Sequence, residues 1–80
     1  MTREDVSTIV QDVFRDIFDR EDIITTDNTT AANLEGWDSL NHVILIGAIE
    51  KEFKVRFSLG EIAELSDVGA MINLILEKSK

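Results

Sequence analysis

None of the eighty residues is a cysteine. A chain this short removes only about 60% of its unfolded surface from water, and domains of this size often lean on disulfides or a thiolate-bound zinc. Neither is open here, so the fold must rest on packing. With 44% hydrophobic residues but only five aromatics (Phe14, Phe18, Trp37, Phe53 and Phe57), the core is mainly aliphatic. That suits packed helices and leaves little room for a broad catalytic cleft. Any thiol chemistry would need an imported sulfur.

The order of apolar residues carries the fold class. Val6, Ile9, Val10, Val13, Phe14, Ile17 and Phe18 recur at i, i+3, i+4 and i+7, one continuous stripe on a helix. Thr2 can cap its start, Glu4 and Asp5 suit the positive end of the helix dipole, and the stripe stops at Asp19-Arg20, giving a first helix over about 3–19. Residues 20–38 show no sustained period and are rich in Thr, Asn and Asp. They read as a long loop pinned to the core by Ile23, Ile24, Leu34 and Trp37; loops of this length are usually functional or disordered.

From Leu40 to Phe53 the chain is apolar at Leu40, Val43, Ile44, Leu45, Ile46, Ala48, Ile49 and Phe53. That is more than one helix face can bury in a small domain, so part of a helix over 39–53 should face a partner. Lys51 and Lys54 sit at its negative pole. Val55-Arg56-Phe57 reads as a connector, because nothing else in the chain offers a pairing edge. Ser58-Leu59-Gly60-Glu61 has the capping-box spacing and opens a short helix over 59–65, weakened by Gly60. Ser66 or Asp67 caps the last helix, over 67–77, with Val68, Met71, Ile72, Ile75 and Leu76 at helical period. The expectation is an all-α single domain spanning 1–80, with three main helices and one short one around a single core.

Charge narrows the partners. The net charge of −8 repels phosphate backbones and excludes nucleic-acid binding as the leading function, favouring basic proteins as partners. The distribution is uneven: residues 39–57 alone are not acidic, with Glu50 and Glu52 against Lys51, Lys54 and Arg56. The N-terminus lacks the basic-then-apolar order of a signal peptide, and no apolar run approaches the roughly 18 residues of a membrane span. The chain is therefore expected to be cytoplasmic, with no membrane role.

The stretch that carries chemistry is Leu34-Glu35-Gly36-Trp37-Asp38-Ser39-Leu40, which puts a serine where the long loop meets the most apolar helix. Unpaired N–H groups and the dipole at a helix start favour negative charge, so a phosphodiester on Ser39 would be electrostatically at home. Gly36 gives the approach freedom to turn, and Asp38 or Ser39 supplies the N-cap. Competing readings are a plain N-cap serine and a hydrolytic Asp38–Ser39–His42 triad. The triad is disfavoured because Asp38 adjoins the nucleophile and no Gly-x-Ser-x-Gly elbow is present. His42 otherwise reads as a half-buried packing residue. Trp37 is either a loop anchor or a shield beside the serine. The acids from Asp19 to Asp27 fail the EF-hand pattern, with Ile24 at the sixth position and Thr30 at the twelfth, and no metal site is expected.

With Asp38-Ser39-Leu40 at that junction, an apolar helix closing in Ile49-Glu50-Lys51-Glu52-Phe53, and the Val68-to-Ile75 pattern, the sequence resembles the acyl carrier protein family over nearly its whole length. The resemblance implies a right-handed helical bundle. It also implies that Ser39 receives 4′-phosphopantetheine from coenzyme A through a magnesium-dependent phosphopantetheinyl transferase, and that the arm's thiol holds acyl groups as thioesters. The absence of cysteine agrees with an imported thiol.

By the same resemblance Asp38 orients the transferase and its metal, and Leu40 contacts partner enzymes. Asn41, Val43, Ile44, Gly47, Glu50 and Lys51 extend that partner-recognition face. Acyl-loading and acyl-transferring enzymes are the further partners, with the chain itself a non-catalytic monomer.

Two departures stand out. The face that bears acids in fatty-acid-synthesis members here carries Asn41, Ile44, Glu50 and Lys51, and Glu35-Gly36-Trp37 is bulkier than their approach to the serine. Both point to a freestanding carrier serving a specialised pathway with more apolar docking. An aminoacyl or peptidyl carrier of the same fold, or an unmodified helical adaptor, are the alternatives. Gly47 and Ala48 leave room for an acyl chain beside the helix or, equally, permit close helix packing.

Overall fold

The computed structural model describes residues 2–79; Met1 and Lys80 lie outside the described residues. It is all-helical: α1 Arg3–Phe18, α2 Ser39–Phe53, α3 Leu59–Glu64 and α4 Val68–Lys78. Among the described residues there is no strand, only an isolated antiparallel bridge between Thr30 and Asp67. No helix is long and apolar enough to cross a membrane.

Each helix begins where side-chain chemistry dictates. Thr2 and Asp5 form a reciprocal capping box at α1, and Ser58 and Glu61 form another at α3. Aspartates cap the other two, Asp38 at α2 and Asp67 at α4. Four ends differ from the sequence expectation by one residue, among them the C-terminal end of α4, which runs on to Lys78. Asp19 turns left-handed at φ 52° and so terminates α1. Leu65 leaves helical geometry after α3, and Asp67 is extended as the α4 cap rather than its first residue.

The α1 stripe buries Val6, Val10 and Phe14 completely. They meet Leu45, Ile46 and Ile49 of α2 and Val68, Met71, Ile72 and Ile75 of α4 in one cluster, with α1 packed against both other main helices. Phe14 is central: Phe18 lies 5.9 Å away between ring centroids, and Trp37 meets it edge-on at 5.2 Å. Truncating so enclosed a ring costs about 3–5 kcal/mol.

The long loop is fastened at both ends. Ile23 and Trp37 are buried, Leu34 is half-buried, Arg15 Nε donates to Ile23 O (2.8 Å), and Thr25 N–H donates to Gln11 Oε1 (2.9 Å). Ile24, expected among the anchors, is instead 76% exposed. The chain is not helical there, and as Ile23 goes into the core its neighbour is carried to the outer side. Further along, Val68 N–H donates to Thr29 O (3.0 Å) and Gly69 N–H to Asp27 O (2.9 Å). That approach is close enough that a Cβ on Gly69 would lie 2.9 Å from Asp27 O, which accounts for glycine at this position.

Candidate functional site

The junction of loop and α2 is built by four consecutive residues. Gly36 adopts φ +94°, a conformation that L side chains resist, and this turns the chain towards α2. Its carbonyl accepts from Asp38 N–H (3.0 Å) and from Asn41 Nδ2 (2.6 Å). Trp37 drops into the core beside Phe14. Asp38 is extended and accepts Asn41 N–H on Oδ1 (2.8 Å), while its carbonyl takes His42 N–H (2.8 Å). Asp38, not Ser39, is thus the N-cap. Ser39 is the first helical residue, its side chain exposed, and the N–H groups of Ser39 and Leu40 precede the helix's own hydrogen-bond ladder. No acid lies in this first turn.

The triad does not assemble. His42 Nδ1 accepts the indole N–H of Trp37 (3.0 Å), so Nε2 carries the ring proton and donates it to Ile62 O at 3.3 Å. Both ring nitrogens are therefore engaged by partners other than Ser39, and the Asp38 carboxylate is held by Asn41. His42 is a half-buried bracket joining the Trp37 loop, α2 and α3. Trp37 is 6% exposed and so anchors the loop, and it also lines the hollow beside Ser39.

Beside Ser39 lies an open hollow of about 490 Å³, walled by Trp37, His42, Leu59, Ile62 and Ala63. The α3 residues in this wall went unassigned from sequence, although Leu59, Ile62 and Ala63 fall at i, i+3 and i+4 and so mark an apolar stripe on the short helix. An exposed serine, two unsatisfied N–H groups and an apolar hollow fit a phosphate ester continuing into a flexible chain. Ser39 would hold the phosphate at the helix start, and the α3 wall would flank the flexible chain beyond it.

The remaining residues of the expected recognition face separate into two groups. Leu40 (71%), Val43 (64%) and Ile44 (47%) are exposed apolar side chains on the outer side of α2, and Gly47 and Lys51 are exposed beyond them. Asn41 and Glu50 are half-buried and also hydrogen-bond within the fold, Asn41 to Gly36 O and Glu50 through Oε2 to Phe57 N–H (2.9 Å). Gly47 neither packs a neighbouring helix nor opens the interior. A Cβ placed there would meet nothing within 4 Å, because the position falls on the outer face. Among the described residues no group of three or more His, Cys, Asp or Glu side chains is disposed to hold a metal ion.

A family model described as "Phosphopantetheine attachment site" matches residues 6–75. No curated protein matches the sequence. Among solved structures, the solution structure of a holo acyl carrier protein from Geobacter metallireducens is similar at a TM-score of 0.86 and 36% identity, covering 91% of this chain and 84% of that one. The family match runs from the first buried residue of α1 to the last of α4 and spans the Asp38-Ser39-Leu40 junction. With the bundle and the serine-bearing helix start in place, the chain belongs to the acyl carrier protein family, whose members bear covalently attached 4′-phosphopantetheine.

Proposed function

We propose that Ser39 Oγ is the attachment point and that the protein carries acyl intermediates as thioesters between separate enzymes of a specialised biosynthetic pathway. The observation that carries this is the exposed hydroxyl of Ser39 at the first position of α2, above N–H groups with no internal partner. A phosphopantetheinyl transferase, using coenzyme A and magnesium, would convert that hydroxyl to a phosphodiester: the Ser39 Oγ–P bond forms as the pyrophosphate bond of coenzyme A breaks, and adenosine 3′,5′-bisphosphate leaves. Once bound, the group supplies the thiol that this cysteine-free chain lacks.

The chain's own residues do the positioning. Gly36 and Asp38 set the direction of the helix start, and the Trp37–His42–Ile62 bracket keeps the loop and α3 in register around Ser39. Exposed Leu40, Val43 and Ile44 give visiting enzymes an apolar surface next to the cargo. Tethering raises the effective concentration of the acyl group at each docked active site, and weak docking lets the carrier leave for the next one. The protein makes no bond of its own.

Intact mass after incubation with coenzyme A, magnesium and a broad-specificity transferase tests the assignment. One added phosphopantetheinyl unit is expected, and none on Ser39→Ala. An unchanged mass with several such transferases, or modification that survives Ser39→Ala, overturns it.

A further inference from the structure

Three of the chain's eight cations fall within six residues, Lys51, Lys54 and Arg56, in a protein of net charge −8. All three are exposed. The ion pairs among the described residues are Arg3–Asp27, Arg20–Asp22 and Lys78–Glu61, and none of the three takes part in one. The adjacent acid, Glu50, is turned to Phe57 N–H. Lys51, Lys54 and Arg56 line one shared hollow of about 470 Å³ together with Gly47, Val55 and Glu50, three cations against one acid. The negative pole of α2 explains Lys51 and Lys54. It does not explain Arg56, which lies past the helix end.

This hollow continues the apolar face already described. Positions 40, 44, 47 and 51 recur at intervals of three and four and so share one side of α2, and Lys54 follows as its left-handed C-cap. Leu40, Val43 and Ile44 form its end next to Ser39, Gly47 leaves bare backbone at its middle, and the cations close it. At 1.5 Å per residue the cationic end lies about 16 Å along the axis from Leu40.

We infer that this face docks an enzyme surface of acidic character, with apolar contact beside Ser39 and carboxylates seated on Lys51, Lys54 and Arg56. The inference rests on the carrier reading above and specifies its partner. It reverses locally the expectation of basic partners drawn from net charge. An anionic membrane fits poorly, because the remaining surface of a −8 chain is repelled by it. A free phosphate would use the cationic end and leave the contiguous apolar half without a role.

The test is amide chemical-shift mapping with two peptides: hexaglutamate, and an amphipathic helical peptide with one leucine face and one glutamate face. Hexaglutamate is expected to shift residues 47–56, with binding at least about fivefold weaker in Lys51→Gln/Lys54→Asn/Arg56→Gln and in high salt, where charges are screened. The amphipathic peptide extends the shifts to residues 40–44, and Ile44→Ser weakens it several-fold without affecting hexaglutamate. The inference is overturned by hexaglutamate shifts elsewhere or unchanged in the triple variant. It is equally overturned if inorganic phosphate reproduces the whole pattern, or if phosphatidylglycerol vesicles bind through residues 47–56. Repeating the titration on Ser39→Ala, which cannot be modified at that serine, keeps this outcome separate from the mass assay.

Discussion

The starts of α2 and α4 are chemically alike and structurally opposite. Each is capped by an aspartate whose Oδ1 accepts the third helical N–H, from Asn41 in one and Ala70 in the other, and neither has an acid in its first turn. At α4 the loop closes over the remaining donors, with Thr29 and Asp27 carbonyls taking Val68 and Gly69 N–H. At α2 the loop arrives from outside through Gly36 and leaves the Ser39 and Leu40 N–H groups open. The helices α1 and α3 take a third course, each answering its start with its own carboxylate, Asp5 or Glu61. Among the described residues only α4 has its first two N–H groups taken by loop carbonyls. What sets α2 apart from the other open starts is the exposed hydroxyl at its first position, Ser39, where α1 has Arg3 and α3 has Leu59.

Gly69→Ala is the severest way to break the comparison. Its methyl group would meet Asp27 O at 2.9 Å and Asp27 Cβ at 3.1 Å, so the loop must lift from α4. A loss of about 1–3 kcal/mol is expected in urea unfolding, with hydrogen exchange accelerated at Val68 and position 69 and unchanged at Leu40. Retained stability would show the seal to be loose.

Removing the caps should give smaller and unequal losses. Asp67→Ala strips a half-buried cap next to the Thr30 bridge and is expected to cost about 1–2 kcal/mol. Asp38→Ala, at an exposed start, should cost about 0.5–1 kcal/mol. Equal losses by thermal unfolding would remove the distinction between a sealed and an open start.

The least effect is expected at α3, the start closed by a capping box, and it depends on pH. The hydrogen bond from Ser58 N–H, reinforced by Lys78 at 2.9 Å, holds the Glu61 carboxyl below its ordinary value near 4.5. A carboxylate depressed in the folded state stabilises above the unfolded pKa and loses that contribution as pH falls through the folded one. Wild type and Glu61→Gln should therefore differ slightly in melting temperature at about pH 6 and converge as pH falls below 4.5 and through the depressed folded value. A gap that widens on acidification would contradict the assignment.

Periodicity and capping chemistry made most of the bundle readable in advance. The α1 stripe, the Ser58–Glu61 box and the overfilled apolar run of α2 are local signals, written within a few turns of chain. The site was legible in part. Ser39 stood out by its place at a loop-to-helix junction, but the α3 wall of its hollow did not, because Leu59 and Ile62 come near Ser39 only through the bracket of His42. Ile24 misled for a related reason: composition marks a residue as apolar, but the side of the chain it occupies depends on the path of an irregular segment.

Sequence alone determined that this chain would be helical, cysteine-free and marked by Asp38-Ser39-Leu40, since hydrophobic period and residue identity are properties of the chain itself. Tertiary structure decided which helix starts are sealed, that Asn41 and Glu50 find hydrogen-bond partners within the fold, and that three cations without an ion pair share one hollow at the far end of the Ser39 helix. Those outcomes depend on which donors, acceptors and charges meet across the fold, and residues far apart in sequence acquire partners only when the core brings them together.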